Sequence, residues 1–471
     1  MIGLLALAAA QWLTAPTDWP AIKPNPVIER WRAQKRGLFL HFGMSTFTGD
    51  EYGGIPAGVD RYAPANADPE QWVVVAKQAG FRYAVLTAKH CYGFCLWPSA
   101  QTDYSVKTAD QPDVVRQFVN ACRKHGVLPG LYYLLGWDVR HQPGRTPEEY
   151  ERFCTAQIAE LLSNYGPIFE LWLDIPFDMG PDTDKALSRI YRAAKKLQPD
   201  CMILLNHSFR DGSRIPVTPV SYAKSFVAGK QAALWPTDLV NGERTLPPPT
   251  GHNPVIRYLG QDYHLPMEVC DSATQEGWFW LPEDSLRTPL DLFRLAKETE
   301  RRGANLLLNI GPDRSGRIPE PAVRRLIELK RALATGRIAR NVLEGCSAAA
   351  SNVYRNDPAF GPDKAVDAEP RTRWATDPGV RQAWIEFSAP QGIRFDRLRL
   401  VEAYRRVRAY RVEAWTGKAW ERLAAGSTIG GDGEPIAVQP VKAFKLRIAI
   451  DDASDGPSLW AVEAFDSREA R

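Results

Sequence analysis

The chain has 471 residues, and its 59 Lys and Arg side chains nearly balance 55 Asp and Glu side chains, for a formal net charge of +4. This balance excludes a nucleic-acid binder held mainly by phosphate contacts, which needs a concentrated positive face. Hydrophobic residues at 44% and charged residues at 24% are ordinary values for a globular protein and exclude a disordered chain.

The chain begins with an apolar run over residues 1–10 that ends in three alanines. A short apolar segment followed by small residues is typical of a signal peptide, although the usual positive charge before the run is missing here. We predict a signal peptide over residues 1–15 and a secreted or periplasmic protein. No other apolar run approaches the roughly 20 residues of a membrane-spanning helix, so we predict no membrane span.

Residues 16–340 alternate short apolar runs with amphipathic helical patterns. The runs cover residues 37–41, 83–87, 128–135, 170–174, 202–206, 267–270 and 305–309. Near-continuous apolar strands are typical of a parallel sheet buried on both faces. With an eighth strand expected within residues 210–250, the pattern predicts a (β/α)8 barrel; a doubly wound parallel sheet is the alternative.

Polar side chains stand at the ends of six of these runs. They are His41, His90, Tyr132 with Tyr133, Asp174, Asn206 with His207, and Glu268. Because the carboxyl ends of barrel strands converge on one mouth, this pattern predicts a functional site there.

The pattern changes near residue 340. Residues 345–471 read as short strands of alternating apolar and charged residues separated by turns, which predicts an all-β antiparallel sandwich of the jelly-roll kind. Most of the seven cysteines lie inside apolar runs and are predicted to be small buried hydrophobes. Their spacing fits no zinc site, and the sequence indicates neither a metal nor a cofactor.

Five segments resemble glycoside hydrolase family 29, the α-L-fucosidases, and occur in the family's order. They read GLFLHFGMSTFTGDEYGG from residue 37, TAKHCYGFCLWPSAQTDYSV from 87, LYYLLGW from 131, ELWLD from 170 and GANLLLNIGPDRSGRIP from 303. The resemblance implies a retaining exo-α-L-fucosidase that removes terminal fucose from oligosaccharides or glycoconjugates without a cofactor. It leaves the linkage preference, the natural glycan and the oligomeric state open.

The resemblance also implies the catalytic residues. A retaining glycosidase uses one carboxylate as a nucleophile and a second as an acid/base about 5 Å away. Asp174 matches the nucleophile, and Asp178 is the fallback. For the acid/base two candidates stay open: Glu243, in a Gly- and Pro-rich segment, and Glu268, which resembles a strand-end glutamate of other members.

Six further positions match residues that contact fucose in the family. They are His41, Glu51, Tyr52, His90, Tyr132 and Trp172. The segment His90-Cys91-Tyr92-Gly93-Phe94 departs from the His-His-Asp-Gly-Phe of many members, so a second hydroxyl-binding histidine is absent.

The segment over residues 349–374 resembles a coagulation factor V/VIII type C (discoidin) domain, which implies that the second domain either binds sugar or packs against the barrel. Two other functions also remain open. One is a retaining glycosidase for a related sugar such as α-L-galactose, and the other is a catalytically silent carbohydrate-binding protein.

Overall fold

A computed structural model describes residues 26–176, 179–180, 182–206, 236–247, 249–258, 261–367 and 369–468. The predicted signal peptide, Asp178 and His207 lie outside the described residues, so export stays a prediction. In the described part of the chain, no helix is both long and apolar enough to cross a membrane.

Strands and helices alternate over the first 335 residues. In chain order the elements are α1 (Pro26–Arg32), β1 (Arg36–Leu40), α2 (Met44–Thr48), a 3-10 turn (Val59–Arg61), α3 (Pro69–Gln78), β2 (Tyr83–Lys89), α4 (Val114–His125), β3 (Leu128–Leu134), α5 (Pro147–Asn164), β4 (Glu170–Asp174), α6 (Thr183–Leu197), β5 (Met202–Leu205), β6 (Val240–Glu243), β7 (Val255–Tyr258), β8 (Gln261–His264), β9 (Met267–Ser272), α7 (Pro289–Arg301), β10 (Ala304–Asn309) and α8 (Glu320–Thr335).

Eight parallel strands form one sheet in the order β5-β4-β3-β2-β1-β10-β9-β6. A parallel bridge between Leu204 and Leu239 joins its two ends, and the Thr237 side chain accepts from the Leu205 N–H at 3.2 Å across this junction. The predicted (β/α)8 barrel is confirmed. Its eighth strand, β6, lies within residues 210–250 as expected, and β7 and β8 form a separate hairpin.

Local sequence signals explain where the helices begin and end. The Asp113 side chain accepts from the Arg116 N–H at the start of α4, and Gly126 adopts the left-handed conformation at its end. At α5, Thr146 and Glu149 form a reciprocal capping box. These caps fix the lengths of the helices and therefore the points at which the following strands enter the barrel.

The described residues form two compact units, the first comprising residues up to Asp271 with Glu298–Arg317 and the second Ser272–Lys297 with Ile318 onwards. The second unit thus contains α8 as well as a seven-stranded sheet. The strands of this sheet are β11 (Ser347–Ala350), β12 (Trp374–Ala375), β13 (Ala383–Glu402), β14 (Val407–Trp415), β15 (Trp420–Gly426), β16 (Pro435–Ala453) and β17 (Ser458–Phe465). The domain limits 16–340 and 345–471 stay a prediction.

The second sheet is antiparallel throughout, in the order β12-β17-β13-β16-β14-β15 with β11 against β13, which confirms the predicted all-β class. Its core is a cluster of buried apolar side chains that includes Trp374, Phe387 and Ile448. Trp374 is fully buried within this core. The discoidin resemblance itself stays a prediction.

The cysteines behave as predicted. All seven are free thiols, and six of them are buried. Among the described residues, no group of three or more His, Cys, Asp or Glu side chains is arranged to hold a metal ion.

Candidate active site

Asp174 ends β4 at the carboxyl end of the barrel and is partly exposed. Three donors hold its carboxylate: the Tyr132 hydroxyl to Oδ2 at 2.6 Å, and the Asn206 amide and the Ile175 N–H to Oδ1 at 2.7 and 2.8 Å. Ile175 has a φ of +47°, a costly conformation for a β-branched residue. The turn that aims Asp174 is therefore enforced by its surroundings.

Asn206 connects Asp174 to a second carboxylate. Its Nδ2 donates to Asp174 Oδ1 at 2.7 Å and to Glu243 Oε2 at 3.1 Å, while its Oδ1 accepts from the Asn241 amide at 2.6 Å. Because Asn241 supplies that donor, the amide of Asn206 can point only its NH2 group at the two carboxylates. Because both carboxylate oxygens are bonded to the same nitrogen, at 2.7 and 3.1 Å, they lie within roughly 6 Å of each other.

Glu243 is the last residue of β6, opposite Cys270 in the parallel register. The Arg244 N–H bonds the Cys270 carbonyl at 2.8 Å, and Arg244 turns the chain with a φ of +49°. The Glu243 carboxylate is half-buried, and its charge is among the causes that raise the pKa values of Tyr52 and Tyr132, after burial of each phenol. Glu243 thus belongs to the same pocket as Asp174.

Two histidines face this pocket as neutral rings. Burial and the neighbouring His90 hold the pKa of His41 well below its usual range, and His41 Nδ1 lies 2.7 Å from Asn309 Oδ1. With Nδ1–H donating to that oxygen, Nε2 is left as an acceptor. Burial likewise lowers the pKa of His90 to about 4, against the opposing charge of Asp174.

Three rings stack in a row beside Asp174. His90 and Tyr132 lie 5.5 Å apart at 20°, and Tyr132 and Trp172 lie 5.8 Å apart at 23°. Tyr132 is fully buried and bonded to Asp174. Trp172 lies two residues before Asp174, deeper in the barrel, and its indole nitrogen bonds Glu268 Oε1 at 2.9 Å.

The prediction that Glu268 stands at the end of its strand is wrong. Glu268 is the second residue of β9, and its fully buried carboxylate accepts from Trp172 and from the Tyr83 hydroxyl at 2.5 Å. It also pairs with Glu170, the first residue of β4, and burial raises its pKa to about 7. Glu268 therefore lies near the amino end of the barrel, beneath Trp172 and away from the mouth.

Glu51 and Tyr52 lie in the loop after β1. The backbone of Glu51 bonds the His90 ring, which places this loop at the pocket. The Tyr52 side chain is 66% exposed. Cys91, which stands where many family members have histidine, is buried, and burial together with the Asp174 charge raises the pKa of its thiol.

The sequence placed Asn206 among the polar strand-end residues of the predicted site but gave it no role, and it did not single out Asn241 or Asn309. All three are buried, and each positions a site side chain through a hydrogen bond of its side-chain amide. The available signal was an amide at or near the end of a barrel strand. Leu205-Asn206 and Leu308-Asn309 both show it.

Comparison with known proteins agrees with this geometry. A family model described as alpha-L-fucosidase matches residues 51–335. The chain belongs to the α-L-fucosidase family. Alpha-L-fucosidase 1 of Arabidopsis thaliana is 29% identical over 475 residues, covering 98% of this chain and 90% of that protein. Tissue alpha-L-fucosidase of Rattus norvegicus is 25% identical over 361 residues, covering 66% of this chain and 70% of that protein.

A solved structure extends the likeness of this fucosidase to the fold. The crystal structure of a glycoside hydrolase 29 family member from an unknown rumen bacterium is similar with a TM-score of 0.52 and 25% identity, covering 95% of this chain and 78% of that one. The protein is thus a glycosidase of the α-L-fucosidase family, and its matched region contains β4, β6 and the carboxylates that end them.

Proposed function

We propose that this fucosidase hydrolyses terminal α-L-fucosides with retention of configuration, with Asp174 as nucleophile and Glu243 as acid/base. The single observation that carries the proposal is the shared donor, Asn206 Nδ2, between the two carboxylates. Carboxylate oxygens within roughly 6 Å of each other fit a retaining pair, whose spacing is about 5 Å, since an inverting pair needs roughly 6.5–9.5 Å to admit a water molecule.

The reaction proceeds in two displacements. Asp174 attacks the anomeric carbon while Glu243 gives its proton to the glycosidic oxygen, so the C–O bond breaks and the aglycone leaves as an alcohol. Glu243, now ionised, takes a proton from water, whose oxygen attacks the same carbon and releases Asp174. Both displacements invert the carbon, and the net result is retention.

Contacts with other groups favour Glu243 over Glu268 as the acid/base. Glu243 shares a donor with Asp174 and is partly exposed, so a leaving group can reach it. Glu268 is fully buried and already accepts from Tyr83 and Trp172.

We expect His41 and His90, which face the same pocket as Asp174, to bind the hydroxyls of fucose. The acceptor Nε2 of neutral His41 suits a sugar hydroxyl, and neutral His90 offers a second polar edge beside the carboxylate. Tyr132 holds the nucleophile rather than standing free for the sugar. Trp172 stacks against Tyr132 on its deeper side, so it forms part of the bottom of the pocket.

The test is fucose release from α-1,2-, α-1,3-, α-1,4- and α-1,6-fucosylated oligosaccharides, with an α-L-galactoside included. Proton NMR of the first product formed should show the α-anomer. Asp174→Asn should abolish release. Glu243→Gln should abolish it for oligosaccharides but still give a burst of about one fluoride per enzyme from α-L-fucosyl fluoride, because fluoride leaves without a proton while the second displacement lacks its base.

Glu268→Gln is the matched control for Glu243→Gln, because it makes the same change in the other candidate. A β-anomeric first product would overturn retention. Full activity in Glu243→Gln would overturn its role, and release of galactose in preference to fucose would move the substrate to the related sugar.

A further inference from the structure

Exposed apolar side chains gather in two loops at the carboxyl end of the barrel. They are Tyr52 and Ile55 after β1, and Trp137 and Val139 after β3, exposed by 66, 51, 47 and 45% respectively. The loops touch, since a Cβ at Gly53 would lie only 2.9 Å from Val139 Cγ2. Exposed apolar side chains on neighbouring loops commonly mark a binding surface. We call these four side chains the rim.

The rim is joined directly to the site. The Leu135 N–H bonds the Asp174 carbonyl at 2.9 Å, and the Gly136 N–H bonds the Ile175 carbonyl at 3.0 Å. Trp137 therefore directly follows Gly136, whose N–H bonds the carbonyl of Ile175, the residue after Asp174.

A buried ion cluster holds Trp137 in place. The residue has a φ of +57°, which is unfavourable for a bulky side chain unless its surroundings impose it. The next residue, Asp138, is fully buried and bonds Lys89 Nζ at 2.8 Å and His141 Nδ1 at 3.0 Å. Anchoring Asp138 inside the protein leaves the preceding indole pointing outwards.

We propose that the rim, and Trp137 above all, is the subsite for the sugar ring to which fucose is attached. This assigns Tyr52 to that ring, whereas the family resemblance implied a contact with fucose itself. The occupant follows from continuity with the catalytic site, because the leaving group departs past Glu243 at the barrel mouth. The rim also lies close to the acid/base. The charge of Glu243 contributes to the raised pKa of Tyr52, after burial and the charge of Glu51. The inference rests on the proposed function above.

The chemistry of the rim suits a pyranose. One face of a sugar ring presents C–H groups, which pack against an aromatic ring, while the hydroxyls around its edge remain in water. A surface of two aromatic and two aliphatic side chains supplies such a platform and few fixed hydrogen bonds. The subsite should therefore favour fucosides of oligosaccharides over those with a minimal aglycone.

The test compares kcat/KM on the best oligosaccharide of the linkage panel with kcat/KM on α-L-fucosyl fluoride, which has no aglycone ring. Trp137→Ala should lower the first about tenfold and leave the second within about twofold, and Trp137→Phe should recover part of the loss. The matched control is Leu197→Ala, a similarly exposed residue that ends α6, at the amino end of the barrel. It should change neither value.

Equal losses on both substrates would overturn the subsite, because Trp137 would then act on fucose binding or on folding. No loss on either substrate would overturn it as well. A folded wild type that releases fucose from neither substrate would instead overturn the proposed function, which is a different result from a failure of the subsite alone.

Discussion

At the scale of single residues, one amide determines how the two carboxylates work together. Asn206 gives both hydrogens of one nitrogen to Asp174 and Glu243, and Asn241 fixes which way that amide faces. A fixed donor between the two acids holds both carboxyl groups in place and stabilises the negative charge that develops on Glu243 as it gives up its proton. It does so without reorganisation during the reaction.

Removing this donor should therefore slow the chemistry. We expect Asn206→Ala to lower kcat by about 10²-fold, the usual effect of losing one preorganised donor, with a smaller change in KM. Asn241→Ala should have a weaker effect of the same kind, because it frees the Asn206 amide to turn. Steady-state kinetics on a fucosyl oligosaccharide measures both, and a change confined to KM in Asn206→Ala would contradict the role.

At the scale of elements, β4 and β9 bring two carboxyl groups together at the amino end of the barrel. Glu170 accepts from the Trp31 indole at 2.7 Å and pairs with Glu268, and both are fully buried. Burial and the Glu268 charge raise the pKa of Glu170 well above its usual range, which favours its protonated form and allows it to donate to Glu268.

This pair should make the fold less stable at alkaline pH. A carboxyl whose pKa is raised on folding stabilises the protein below the unfolded value of about 4.5, and that contribution is lost as pH rises through the folded value, about 7 for Glu268. Glu170→Gln retains a donor for Glu268 and an acceptor for Trp31, and removes one titrating proton. We expect its urea midpoint to fall less between pH 5 and pH 9 than that of the wild type.

Glu268→Gln is the contrasting variant. It directs an amide NH2 at the Tyr83 or Trp172 donor and should destabilise the protein at every pH. Parallel midpoint curves for the wild type and Glu170→Gln across this range would show that the pair does not share a proton.

These elements also show how far the sequence predicts the structure. Unbroken apolar runs located seven barrel strands because both faces of each strand are buried, whereas β6, with only Val240 strongly apolar, offered no such run. Glu268 was misplaced because β9 continues through Asp271 and Ser272, two polar residues that are buried nonetheless. The depth of a residue in the barrel depends on where its strand ends. Polar residues such as Asp271 and Ser272 indicated an end to the strand that the structure does not show.

The sequence did not predict that Asn206 bridges two carboxylates, and the reason is a different one. It joins residues 32 and 37 positions away in the chain, through contacts set by the order and stagger of β4, β5 and β6. A sequence pattern identifies a polar residue after a strand, but it does not give the register that brings three strand ends to one nitrogen.

At the scale of the whole molecule, α8 belongs with the second sheet. It follows β10 as the last helix of a (β/α)8 barrel would, yet its contacts place it in the second unit. Arg325 of α8 is buried, and its guanidinium donates to the backbone carbonyls of Arg287, Asp432 and Gly433.

Arg399 of β13 completes this cluster. It bonds Gly433 at 2.8 Å, Glu328 of α8 at 3.0 Å and the buried Glu463 of β17 at 3.5 Å. Burial and the neighbouring Arg399 lower the pKa of Arg325 to about 10, so the guanidinium is still charged at neutral pH. A helix and two strands of the second unit thus depend on one buried group of charges.

Breaking this cluster should be costly, because it leaves buried partners unsatisfied. We expect Arg325→Met to destabilise the protein by about 3–5 kcal/mol, since three carbonyls lose a donor and Glu463 loses a nearby cation. The adjacent Arg324 is the matched control, because it lies on the same helix and pairs with Glu434 with both side chains about half exposed. Arg324→Met should cost less than about 1 kcal/mol. Urea unfolding followed by circular dichroism compares the two variants, and equal midpoints would show that the cluster contributes nothing beyond a surface ion pair.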